Sequence, residues 1–428
     1  MSDLVKKVYQ AFDPGPLSPE QEDLYVQLDE VRGSSGLVRK LAQTIRLSSG
    51  STCQLLAGHV GSGKSTELRR LQNELETGAD KRFVVFCEIT EDIDTNDADF
   101  PDLLIAIVRQ IAGQFRDRLD YELKPGYFKQ RWAEIKDLLG QEVDLKTMSL
   151  EAGLAKFSAT IKSSPNTRLE IRKLLDPRTD RWIDAANDVI SEAVLTLSKN
   201  GYSDLVVIVD GLDKLPVEKR RDLDTSIAEH LFIDRHAQLT ALDCHTIYTL
   251  PIALAYSCQE RNIASLYNTT APPVVPMTKI KYQNGRTFKK GVQRFRDIVS
   301  KRIEKAGATA EDIFESPELL DEIVTYTGGQ PRLLMTLIRE ALVEKDVPIE
   351  ESTITTVARK ITHSYERQLR QEHWAIIEQV KKDHVLKRTM ENDGLYMELL
   401  GNRAILQYVN DREWYGLNPL LPKSPGPS

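Results

Sequence analysis

Gly58-His59-Val60-Gly61-Ser62-Gly63-Lys64-Ser65 is the stretch on which the reading of this chain turns. It fits G-x-x-x-x-G-K-[ST] at every fixed position. An apolar run, Cys53–Ala57, precedes it, and Leu68, Leu71 and Leu75 follow at helical spacing. The stretch therefore predicts a strand, a loop and a helix in succession, which is the context such a loop requires. Gly61 and Gly63 let the backbone turn so that N–H groups face an anion. The helix beginning at Lys64 adds its positive end. With Gly58 and Ser62 these residues predict a phosphate cradle. Lys64 is placed for the β- and γ-phosphates of a nucleotide, Ser65 for Mg²⁺, and Thr66 for the α-phosphate.

Further apolar runs of strand length lie at Phe83–Ile89, Leu205–Val209 and Cys244–Thr249, with a weaker one at Val274–Ile280. Helical patterns separate them, for example Leu103, Leu104, Ile107, Val108 and Ile111. Strands apolar on both faces and alternating with helices predict a parallel sheet in a three-layer α/β domain.

The run Leu205–Val209 ends in Asp210-Gly211-Leu212-Asp213. Asp210 would emerge at the C-terminal end of its strand and hold Mg²⁺ through water. Asp213 is positioned to orient or deprotonate an attacking water; the competing reading is a cap on the next turn. Position 211, where many P-loop ATPases carry glutamate, is glycine. No N-K-x-D guanine-reading motif occurs, which favours ATP. Thr249, just before Leu250-Pro251, either presents a hydroxyl to the γ-phosphate or is an ordinary strand end. In Gly328-Gly329-Gln330-Pro331-Arg332 the arginine falls in the first turn of a helix, where a cation opposes the macrodipole. A triphosphate would be the missing anion and make Arg332 a sensor; otherwise it is a solvated surface arginine.

The 428 residues are 41% hydrophobic and 28% charged, with a formal charge of -7 and a pI near 5.7. That length predicts two or three domains, and that charge argues against a dedicated nucleic-acid binder. The four cysteines form no C-x-x-C pair, and the histidines show no zinc spacing. The opening residues are too polar for a signal peptide, and no apolar run approaches membrane-helix length. A cytoplasmic location is expected. Residues 1–50 read as a lead-in and 51–282 as the core, in which 115–200 is an insertion with Trp132 and Trp182 as packing anchors. Residues 283–350 read as a helical lid. Residues 351–420 read as a winged helix, with strands at Leu395–Leu400 and Ala404–Val409 joined through Gly401-Asn402. The Pro/Ser-rich tail 421–428 is expected to be disordered.

Arg32-Gly33, the P-loop, Asp210–Asp213, Thr249–Pro251 and Gly328–Arg332 together resemble the AAA+/STAND ATPases. Within these, they resemble the branch with an origin-recognition-like core, helical lid and C-terminal winged helix. The resemblance spans roughly 20–420. It implies strand order 5-1-4-3-2, an adenine pocket near Tyr25, Val26 and Arg32, homo-oligomerisation, and the role of a switch. Bacterial proteins of this type often serve anti-phage defence. If rings form, an arginine finger is implied, with Arg261 and Arg235 as candidates. This sequence departs from the pattern in its missing glutamate, its long insertion and its lack of a repeat array. Two functions follow as expectations: an ATP-driven oligomeric switch or motor acting on a protein partner, or a DNA-engaging initiator-like or transposition-regulator ATPase using its winged helix.

Overall fold

Five segments pair into one parallel sheet: β1 (Cys53–Gly58), β2 (Phe83–Glu88), β3 (Leu205–Asp210), β4 (His245–Pro251) and β5 (Val274–Val275). Their order is β2-β3-β4-β1-β5, the 5-1-4-3-2 arrangement expected. The structure is a computed structural model that describes residues 3–33, 36–124, 150–217 and 225–424. The expected anchor Trp132 and the tail beyond 424 lie outside the described residues. β5 is shorter than the apolar run around it, because Pro276 has no N–H to offer a ladder.

The longer helices are α1 (Asp3–Ala11), α2 (Leu37–Leu47), α3 (Lys64–Glu76), α4 (Phe100–Leu119), α5 (Leu150–Ser163), α6 (Pro165–Leu175) and α7 (Thr179–Lys199). After the sheet come α8 (Lys289–Lys305), α9 (Pro317–Tyr326), α10 (Pro331–Glu344), α11 (Glu351–Gln368), α12 (His373–Asp383) and α13 (Asp393–Gly401). Alternate strand residues serve opposite layers. Leu56, Val206, Ile208 and Ile247 pack against Leu41, Ile45, Leu68 and Leu71 of α2 and α3. Leu55, Val85, Val207 and Val209 face the cluster built by α4, α5 and α7, in which Phe115, Phe157 and Trp182 are buried. Each such apolar side chain stabilises the fold by about 1.5–3 kcal/mol. The stretch between β2 and β3 therefore thickens one layer of the core. It is also clamped by charge: Arg168 pairs with Asp94 and Asp97, and Arg172 with Asp97 and the buried Asp102. Among the described residues no helix is long and apolar enough to cross a membrane.

The helices expected to form a lid have their own core. Phe295, Ile298, Ile323, Leu334 and Ile338 of α8, α9 and α10 enclose Val5, Val8 and Phe12 from the N-terminus. The chain stays on this core through Val26, Leu28 and Val31 and joins the sheet only at α2. The C-terminal segment is α11, which packs its Ile354 and Val357 into the same core as α8, α9 and α10, then α12 and α13, and an antiparallel hairpin, β6 (Ile405–Val409) and β7 (Glu413–Leu417). This corrects the expected strand at Leu395–Leu400, which is the body of α13. A short apolar run has no readable period, and its Leu, Met and Glu residues favour helix. The hairpin turn falls instead at Asn410-Asp411-Arg412, where Asn410 N donates to Arg412 O at 3.0 Å.

The joint between α9 and α10 is Gly328-Gly329, both at positive φ, 58° and 83°. Thr278 N donates to Gly329 O at 3.2 Å, and a Cβ on Gly329 would lie 1.7 Å from Thr278 O. The same substitution at Gly78, also at positive φ, meets nothing within 4 Å. Gly329→Ala is expected to cost at least about 2 kcal/mol in urea unfolding, against about 1 kcal/mol for Gly78→Ala. Equal losses would show that the Thr278 contact does not constrain the joint.

Candidate functional site

Between β1 and α3 the loop turns at Gly58, Gly61 and Gly63, with φ of 150°, 86° and 100°. A Cβ on Gly61 would lie 2.8 Å from Gln330 Nε2, and one on Gly63 2.8 Å from Arg32 Nη2. These contacts belong to a larger pattern. Lys64 Nζ donates to Gly58 O at 2.7 Å and His59 O at 3.0 Å. Gln330 Nε2 donates to Val60 O at 2.6 Å, Arg332 N to Gly61 O at 3.4 Å, and Arg32 Nη2 to Ser62 O. Successive carbonyls from Gly58 to Ser62 are thus engaged by protein donors. A carbonyl so engaged does not direct its negative end at an anion in the cleft, so the arrangement suits a phosphate.

Lys64 is only 4% exposed, and its ammonium also pairs with Asp213 Oδ2 at 2.7 Å. Its three protons therefore have three acceptors. Asp213 is carried on the turn after β3. Thr249 Oγ1 fixes that turn by accepting from Leu212 N at 3.0 Å and donating to Val209 O at 3.4 Å. Thr249 is fully buried, and its hydroxyl serves the turn that aims Asp213. Asp210 is buried beside Ser65. Its Oδ1 accepts from Gly211 N at 2.9 Å, while Oδ2 is buried without a hydrogen-bond partner among the described residues. Burial, followed by the nearby charge of Asp213, pushes the Asp210 carboxyl up to about 6, and the neighbouring Ser65 hydroxyl acts in the opposite sense. A buried carboxylate oxygen lacking a donor, next to a serine hydroxyl, fits an Mg²⁺ site completed by water and phosphate oxygens.

A cleft open to solvent lies against this loop. Gly61, Gly63, Lys64, Ser65, Thr66 and Asp213 line one part of it, and Tyr25, Val26, Ile298, Arg302 and Met335 another. Arg332 borders it from the start of α10, its Nε donating to Pro14 O at 3.3 Å. Arg32 also borders the cleft, but its guanidinium is drawn to the loop. It pairs with Glu67 at 2.8 Å in a bridge whose side chains are 3% and 5% exposed. Removing one partner of such a pair costs about 3–5 kcal/mol. Tyr25 is stacked by Arg70 at 4.4 Å.

Of the finger candidates, Arg235 is held within its own chain by Asp176 and Asp99, whereas Arg261 is exposed. Two important residues escaped the sequence reading. Glu67 lies on the buried face of α3 with Lys64, Leu68 and Leu71, and an acid at that spacing signals a buried pair. His59 sits at a variable position of the motif and carries no signal. Its imidazole is fully buried, and Nε2 accepts from Gln407 N of β6 at 3.0 Å. Burial, then the charge of Lys64, pulls its pKa down to about 3, so the ring is neutral and able to accept.

No protein-family model matches the chain, and no curated protein matches it. Among solved structures it is similar to a Walker-type ATPase of Pyrococcus abyssi at 15% identity and a TM-score of 0.47, covering 96% of this chain and 98% of that one. It is similar to the ORC2 protein of Aeropyrum pernix at 14% identity and a TM-score of 0.45, covering 96% and 94%. A third likeness is to Cdc6p from Pyrobaculum aerophilum, at 12% and 0.37, covering 96% and 94%. Likeness this distant assigns nothing to individual residues.

The raised Asp210 value has a definite sign. The folded chain holds this proton more tightly than the unfolded chain, so the group's contribution to stability is present below its unfolded value and is lost as pH rises through about 6. A protonated carboxyl is a poor cation ligand. Mg²⁺ affinity in the presence of nucleotide should therefore fall as pH drops through about 6, and more steeply than in Asp210→Asn, which keeps only the titration of the nucleotide's own phosphate. Mg²⁺ titrations at pH 5 and 7 check this; an identical profile in Asp210→Asn would remove Asp210 from the metal site.

Proposed function

We propose that this chain is an ATP-driven switch. It binds ATP with Mg²⁺ at Gly58–Ser65, hydrolyses it, and passes the nucleotide state through lid and C-terminal module to a protein partner, acting as a homo-oligomer. The observation that carries this reading is the shared engagement of the loop. Gln330 and Arg332 of the lid hold Val60 O and Gly61 O, and Gln407 of β6 holds His59. A group that reshapes the loop must also act on both outer modules.

Lys64 is the pivot. A triphosphate competes with Asp213 for its charge, and the two anions repel, so Asp213 is released from the ion pair when the γ-phosphate enters. The freed carboxylate then accepts a hydrogen bond from water and orients it for attack. Mg²⁺, held by Ser65 and through water by Asp210, would neutralise charge on the β- and γ-phosphates. Arg332 meets the γ-phosphate from the lid and ties lid position to the triphosphate. Arg261 is the remaining finger candidate for a neighbouring subunit.

The charge of the C-terminal module favours a protein partner over a duplex. Residues 351–428 carry eleven Lys and Arg against ten Asp and Glu, which is no basic footprint. The proposed setting, prokaryotic anti-phage defence in the cytoplasm, rests on the family resemblance alone.

Light scattering with and without ATP tests the switch. Wild type should change size with ATP. Lys64→Ala should neither bind ATP nor change size, and Arg332→Ala should bind ADP yet fail to respond to ATP. Asp213→Asn should bind ATP at least as tightly as wild type but hydrolyse it at least about tenfold more slowly. An ATP-induced size change in Arg332→Ala equal to that of wild type would rule out the sensor. Undiminished turnover in Asp213→Asn would rule out its role with water.

A further inference from the structure

Helix α8 buries Phe295, Ile298, Val299, Arg302 and Ile303 on one side. Arg302 is the odd member of that stripe. It is only 6% exposed, and it lines the cleft beside Ile298, Tyr25, Val26 and Met335. Its Nη1 donates to Ile298 O, one turn back in its own helix, at 3.2 Å, and its buried Nε has no hydrogen-bond partner among the described residues. Among the described residues no carboxylate lies within ion-pair distance of it. Asp23, the acid whose charge acts on it, is bound by Lys305 at 3.0 Å. Burial draws its pKa down to about 10, which still leaves it charged at neutral pH.

A buried cation without a counter-ion is costly, and an apolar residue would fill the same stripe at lower cost. The other arginines on the cleft are accounted for: Arg32 holds Glu67 and Ser62 O, and Arg332 reaches Pro14 O. Arg302 stands with the apolar side chains of the cleft, a lining suited to the flat face of a base. A guanidinium has donors only, so the complementary group presents acceptors. The ring nitrogens of a purine do so.

We propose that Arg302 reads the nucleobase, its guanidinium donating to the acceptor edge of a purine seated among Tyr25, Val26, Ile298 and Met335. This rests on the reading of the cleft as a nucleotide site and deepens it. Phosphates are taken by the P-loop and the base by a residue of α8, so one nucleotide touches both.

Calorimetry with ATP and with inorganic tripolyphosphate, which has no base, separates the parts. Arg302→Met should weaken ATP binding at least about tenfold, the range of a lost charged hydrogen bond, and leave tripolyphosphate binding unchanged. Unchanged tripolyphosphate binding also reports that the variant is folded. Arg302→Lys keeps the charge without the planar fork and should recover only part of the loss. Unchanged ATP affinity in Arg302→Met overturns the proposal. So does an equal loss for both ligands, which would place Arg302 on the phosphates or in the fold, and so does full recovery in Arg302→Lys. If wild type binds neither ligand, the nucleotide reading itself fails.

Discussion

The carbonyl oxygens of Gly58, His59, Val60, Gly61 and Ser62 all accept hydrogen bonds from other parts of the chain, and much of the structure follows from that constraint. The donors come from α3, from the turn at Arg32 and from the start of α10. The C-terminal hairpin joins through a side chain, His59 to Gln407. Gln407 O in turn accepts from Met277 N, just beyond β5, and Tyr408 donates to Gly328 O at 2.6 Å at the lid joint. One strand therefore touches the loop, the sheet edge and the α9–α10 joint. The loop Gly58–Ser65 is where the sheet, the α8–α10 helices and the C-terminal hairpin meet, so its conformation is a joint property of all three.

Charge is arranged to match. Arg32 and Glu67 neutralise one another behind the loop, and Lys64 and Asp213 do so in front of it. Asp210 is left near a like charge with one oxygen unpartnered. The site is thus balanced as it stands but contains one exchangeable pair. An incoming anion with its cation would take Lys64 from Asp213 and supply Asp210 with a positive neighbour at once. The two changes are complementary in sign, which is why they belong to one event.

The sheet was legible in the sequence because doubly buried strands read as dense apolar runs, and the P-loop because its glycines and lysine have fixed spacing. Leu395–Leu400 was misread because six apolar-rich residues span too little of a helix to show its period. The bracing of the loop by Arg32 was visible only as Arg32-Gly33, since its partner Glu67 lies 35 positions away. The hydroxyl of Thr249 could not be placed from sequence, because its acceptor and donor, Val209 and Leu212, are brought to it by sheet pairing. His59 is the clearest case. Its role depends on β6, which lies 348 residues further along the chain, and nothing local announces it.

The central claim is that the state of the loop is felt in the C-terminal hairpin through His59. Amide hydrogen exchange at Gln407, with and without ATP and Mg²⁺, tests it most directly. In wild type the Gln407 amide should be protected, and its protection should change when nucleotide binds. In His59→Ala the nucleotide should still alter exchange in Gly61–Thr66 but leave Gln407 unmoved. If ATP changes exchange in the loop of wild type while Gln407 keeps the same rate, the loop and the hairpin are not coupled and the account fails.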